Sequence, residues 1–132
     1  MNQKYAIWSL RLGLGIMFLY SGFDIIMHPT AWYWAVRGLP LFIQNSITAI
    51  GIDTYLKLQG ASELVLAAAF LAWFLPRWIT KIAALVAVME MAAILFLVGV
   101  DSITFRDFGL VGAGAALFFL MPKARNTMRF TR

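Results

Sequence analysis

From Tyr5 to Met27 the chain reads YAIWSLRLGLGIMFLYSGFDIIM, a run broken by only two charges, Arg11 and Asp24, and ended by His28-Pro29. Proline disfavours helix at the residue before it, so the run predicts one helix that stops there. At ~1.5 Å per residue it is long enough to cross a hydrocarbon layer of ~30 Å. Arg11 interrupts the run early and no small-residue cleavage pattern follows it, which argues against a secretory signal peptide. Two more apolar runs lie at about 55–75 and 78–100, with Pro76-Arg77 as a tight turn between them. The fourth is short. The residues between Asp107 and Pro122 make only ~21 Å of helix, so a spanning helix there must start near Ile103 and carry Arg106 and Asp107 into the outer part of the layer.

The expected fold class is therefore all-α: a transmembrane four-helix bundle forming a single domain over residues 1–132, with spans at about 5–27, 55–75, 78–100 and 103–121. Composition agrees, since 62% of residues are hydrophobic and 13% charged, against roughly 45–50% and 25% in soluble domains. The connection 30–53 carries Trp32, Tyr33 and Trp34, a cluster of the kind found in interfacial aromatic belts. After Gly38-Leu39-Pro40, LFIQNSITAI is too short to cross and holds Gln44, Asn45, Ser46 and Thr48. It predicts a short interfacial helix between the first and second spans.

Charge sets the orientation. Lys4, Arg77, Lys81 and the four basic residues of the tail KARNTMRFTR fall on one side; Arg37 and Arg106 flank the connections on the other. The positive-inside rule then places both termini in the cytoplasm, in an integral protein of a prokaryotic plasma membrane. The net charge of +5 is better read as anchoring to the lipid bilayer than as nucleic-acid binding, because the basic residues are not interleaved with stacking aromatics. The absence of cysteine excludes disulfides, thiolate metal sites and dithiol redox chemistry within the chain. A single histidine, His28, is too little for a metal or haem site, and no metal is expected.

Small residues mark expected packing faces: Gly13, Gly15 and Gly22 in the first span, and Gly109, Gly112, Ala113 and Gly114 in the fourth. Arg11 shares a helical face with Gly15, Phe18 and Gly22, which points it into the bundle; snorkelling to the headgroups is the alternative. Glu63 is flanked at helical spacing by Gln59, Gly60 and Ala67, with Leu56, Val65 and Phe70 assigned to the opposite face. Glu90 shares a face with Ala83, Ala87 and Ala93 at a similar depth on the next helix. Two buried carboxylates at one depth predict a shared proton and a polar cavity, unless a cation such as Lys57 or Arg106 reaches one of them. Stapling of helices by hydrogen bonds is the plainer reading of the same pair. Asp24, with Lys57, Asp101, Arg106 and Asp107, forms a candidate outer ionic cluster or an ordinary solvated rim. The candidate polar or ligand-binding residues are thus Arg11, Asp24, Gln59, Glu63, Glu90, Arg106 and Asp107. No catalytic constellation is visible.

Arg11-Leu-Gly-Leu-Gly15, Ser21-Gly22, Gly60-Ala-Ser-Glu63-Leu and Pro76-Arg77 together resemble the DoxX family of small four-helix membrane proteins (DoxX/DoxD/MauE-like). The likeness extends from about Ser9 to Met121. One position departs from the pattern: Asp24 stands where the family has Lys, and Glu90 lies outside the pattern. The resemblance implies an accessory membrane subunit of a redox or quinone-linked complex, with other membrane or redox subunits as partners and quinone as the possible ligand. A non-enzymatic scaffold or assembly protein is the alternative, and a small transporter or proton path the third reading.

Overall fold

The computed structural model describes residues 3–121, and the basic residues expected to anchor the tail, Lys123, Arg125, Arg129 and Arg132, lie outside them. Most of the described residues are helical, with no strand among them. Six α-helices follow in order: α1 Gln3–Met27, α2 Tyr33–Arg37, α3 Leu41–Ile50, α4 Ile52–Leu71, α5 Arg77–Leu97 and α6 Asp107–Leu120. Short 3₁₀ turns at Pro29–Trp32 and Thr104–Arg106 precede α2 and α6. Two of the helices, α1 and α5, are long and apolar enough to cross a membrane. α4 holds Asp53, Lys57, Gln59 and Glu63 in and beyond its first half, and α6 has only 14 residues.

The four longest helices pack in sequence around a ring: α1 on α4, α4 on α5, α5 on α6 and α6 back on α1. Contacts between their ends show neighbours running antiparallel. Gln3 near the start of α1 donates to the carbonyl of Leu120 at the end of α6 (3.0 Å), and Thr80 early in α5 donates to Ala69 late in α4 (3.4 Å). The main core fills the ring with Leu14, Phe18, Leu66, Phe70, Ala84, Met91 and Leu117. Phe18 and Phe70 stack with centroids 6.0 Å apart, which ties α1 to α4 at its centre. A smaller core of Ile25, Val36, Ile47 and Leu56 lies under the connection between α1 and α4.

Helix ends differ from the sequence reading, and each difference has a local cause. α4 stops at Leu71 rather than 75, because Ala72 is extended (ψ 108°) and leads into Pro76. α5 ends at Leu97, ahead of Gly99 at φ +95°. The fourth helical segment starts near Ile103 as expected, but its first turn, Thr104–Arg106, is 3₁₀ and α-helix begins only at Asp107. Asp101 Oδ1 accepts from the backbone N–H groups of Ile103 and Thr104 (both 2.7 Å), while the Thr104 hydroxyl donates to the Gly99 carbonyl (2.7 Å). The first N–H groups of a helix have no acceptor within it, and Asp101 supplies one, so the helical segment opens as a 3₁₀ turn at Thr104 and becomes α6 at Asp107. In the connection 30–53, α3 supplies the short helix expected between the first two long ones, and Gly51 at φ +92° turns it directly into α4.

Candidate functional site

α1 and α4 touch backbone to backbone at Gly22 and Gly60. A Cβ on either would lie 2.7 Å from the other's carbonyl oxygen, closer than real contacts allow. That approach brings Glu63, one turn along α4, over α1: the Glu63 Cβ would be 3.1 Å from a Cβ on Gly22. Glu63 is only 3% exposed. Ser21 of α1 and Gln59 of α4 adjoin its carboxyl. Its Oε2 is buried with no hydrogen-bond partner among the described residues. Gln59 in turn donates through Nε2 to Glu90 Oε1 on α5. Gln59 thus ties α4 to α5 at Glu90, and no ion pair reaches either carboxylate among the described residues. An amide suits that place because it has donors to offer without adding a charge.

The neighbours assigned to Glu63 by sequence divide. Gly60 and Ala67 are buried beside it as expected. Leu56 and Phe70, however, are buried on the same side and not opposite; Val65 alone of that set is exposed, at 69%. Seven residues are two turns of helix, so positions seven before and seven after Glu63 return to its own face. On α5, Ala83 and Ala87 are buried, while Ala93 is exposed.

Arg11 is 5% exposed and lies at the other end of the α1–α4 contact. Its Nε donates to the Phe70 carbonyl and its Nη2 to the Ala72 carbonyl, both at 2.7 Å, and the guanidinium lies 4.4 Å from the Trp8 ring centroid. The last carbonyls of a helix have no partner within it, and Arg11 supplies one from the neighbouring helix. Arg11 therefore caps the end of α4. Trp8, three residues back on α1, is legible as a neighbour from helical spacing; the two carbonyls are not, because α4 ends earlier than its apolar run.

The outer ionic cluster does not assemble. Asp24 accepts from the Trp32 indole (2.9 Å) and is paired with His28 Nδ1 (3.2 Å). Arg106 is exposed and donates to the Ile103 carbonyl (3.1 Å), one helical turn back, so it does not reach Glu63 or Glu90. Asp101 is engaged by its own turn, and Asp107 starts α6. Among the described residues no group of three potential ligands is placed to hold a metal ion.

Of the glycines expected to mark packing faces, Gly15, Gly22 and Gly114 meet neighbouring helices, as does Gly60. Gly13, Gly109 and Gly112 have open space where a side chain would be.

Comparison with protein-family models, curated proteins and solved structures finds no match to this chain.

Proposed function

We propose that the chain is a DoxX-like integral membrane protein with four spans, acting as an accessory subunit of a redox or quinone-linked complex. The observation that carries the reading is the buried Glu63 carboxyl, with one oxygen lacking a partner and its neighbour Gln59 bonded to Glu90. Leaving such an atom unsatisfied costs ~1–3 kcal/mol, a cost a bound hydrogen-bonding ligand would remove. A quinol hydroxyl could donate to that oxygen, and a quinone carbonyl could accept from it when Glu63 is protonated. With no cysteine in the sequence, electrons would pass through the ligand or a partner subunit. The four-span topology is supported by the antiparallel ring and by the tryptophans. Trp8, Trp73 and Trp78 sit at one end of the helices and Trp32 and Trp34 at the other, as expected of two interfacial belts.

The test is quinone extraction from protein purified in mild detergent, followed by chromatography. Wild type should co-purify quinone, and Glu63→Gln should fold but lose most of it. Equal quinone content in the two proteins, or none in wild type, would remove the ligand reading. A scaffold or assembly role is the second reading, favoured by the use of Arg11 and Gln59 as links between helices. On that reading Glu63→Gln leaves complex assembly intact.

A further inference from the structure

Where α1 begins, α6 ends and α4 turns into α5, an open cavity of about 260 Å³ is lined by Gln3, Lys4, Trp8, Arg11, Arg77 and Met121. Three of these residues are cations and none is an acid. The guanidinium of Arg11 is fixed in the wall by two carbonyls and an indole ring. Carbonyls satisfy its donors but bring no full negative charge, so the positive charge stays at the cavity. Glu63 is the carboxylate nearest along α4, and it precedes Phe70 by seven residues, ~10 Å of helix. A recess with three cations and no acid in its described lining attracts an anion, and Ile7, Trp8 and Met121 give it an apolar share. Exposed Tyr5, Trp73 and Trp78 stand near the same end of the helices, a belt that places the opening at headgroup level if the chain spans a membrane.

We propose that this cavity binds the phosphate of an anionic phospholipid headgroup, with Arg11 as its fixed floor and Lys4 and Arg77 as its rim. The proposal rests on the membrane reading of the chain but not on the quinone reading. Arg77, exposed and on a flexible stem, suits a headgroup that exchanges, whereas Arg11 is committed to the fold and is left unaltered in the test.

The membrane reading is checked first and separately, by retention of the protein in carbonate-washed membranes. Protein delipidated in mild detergent is then offered phosphatidylglycerol or phosphatidylcholine, and retained lipid is measured after extraction. Wild type should retain phosphatidylglycerol in clear preference. The Lys4→Gln/Arg77→Gln protein should lose about tenfold or more of that retention, as expected for two basic groups near an anionic headgroup. Lys57→Gln, near the opposite end of α4, should keep it. Because Arg77 is exposed, Arg77→Gln should melt as wild type does, and it is read alone if the double variant melts lower. Equal retention of the two lipids, or an unchanged double variant, would overturn the proposal. Displacement of the lipid by excess inorganic phosphate would also overturn it, by showing a site for the free ion.

Discussion

Arg11 shows how a costly residue becomes a structural one. A charge among apolar helices is tolerated where its donors are matched, and here they meet two carbonyls at the end of α4. Arg11→Leu would leave those carbonyls without their donor, at a cost of ~1–3 kcal/mol each. Arg11→Lys should recover only part of the loss, since an ammonium cannot reproduce the planar fork that bonds two carbonyls and stacks on Trp8. Thermal melting in detergent should therefore rank wild type above Lys and Lys above Leu; equal midpoints would show that the bonds contribute nothing. Asp101 gives a second expectation at this scale. The backbone donors of Thr104 and then Ile103 hold its carboxyl below the usual carboxylate range. A group with a lowered folded value stabilises the turn above its ordinary value and loses that contribution as pH falls through the lower one. The amide resonances of Ile103 and Thr104 should thus titrate with a midpoint below ~3.9, the ordinary aspartate value. A midpoint at or above that value would mean the capped turn does not form in solution.

Among the helices, the close approach of α1 and α4 depends on two residues without side chains. Gly22→Ala places a methyl 2.7 Å from the Gly60 carbonyl, and backbone cannot yield as a flexible side chain can. The helices must move apart, which also loosens Glu63 against Gly22. Gly112→Ala meets nothing and should be neutral or stabilise by up to ~1 kcal/mol through helix propensity. Melting of the two variants separates packing from propensity: a Gly22→Ala protein as stable as Gly112→Ala would refute the contact. Sequence patterning revealed Gly22 and Gly15 because they share the Arg11 face, but it gave Gly109 and Gly112 the same role wrongly. Composition counts small residues without saying which face meets a neighbour. The helices themselves were legible from apolar runs and prolines, since both act over a few residues. Their ends were less so. The extended Ala72 and the Asp101–Thr104 turn depend on hydrogen bonds from particular side chains and neighbours. For the same reason Glu63 and Gln59 could be selected as polar positions, while the Gln59–Glu90 link required knowing how α4 and α5 sit in register.

Charge is unevenly placed over the whole molecule. Lys4, Arg11, Arg77 and Lys81 cluster where α1 and α5 begin, with no acidic residue beside them in the described sequence, whereas Asp24, Asp53, Asp101 and Asp107 all belong to the other end of the helices, where Arg37, Lys57 and Arg106 are interspersed with them. Lys81 even lies over the Phe118 ring, 4.7 Å from its centroid, at the same end as Arg77. The purely basic end is the unusual one, since charges of both signs are normally interspersed on a soluble surface. In a membrane it sets direction, because basic flanks are retained in the cytoplasm while acidic ones contribute little. On the proposed four-span topology, the antiparallel ring would put the starts of α1 and α5 and the ends of α4 and α6 on the cytoplasmic side, with α2, α3 and the Asp101–Thr104 turn outside. Single cysteines are well suited to test this, because the chain has none of its own. Cysteines at exposed Lys4 and Arg77 should be protected from a membrane-impermeant thiol reagent in intact cells. Cysteines at exposed Asn45 and Ser102 should be labelled. If Asn45 and Ser102 lie on opposite sides, α4 and α5 do not both cross, and the four-span topology is wrong. If all four positions are protected in intact cells and all are labelled once the membrane is broken, the charge asymmetry orients nothing and the protein does not span.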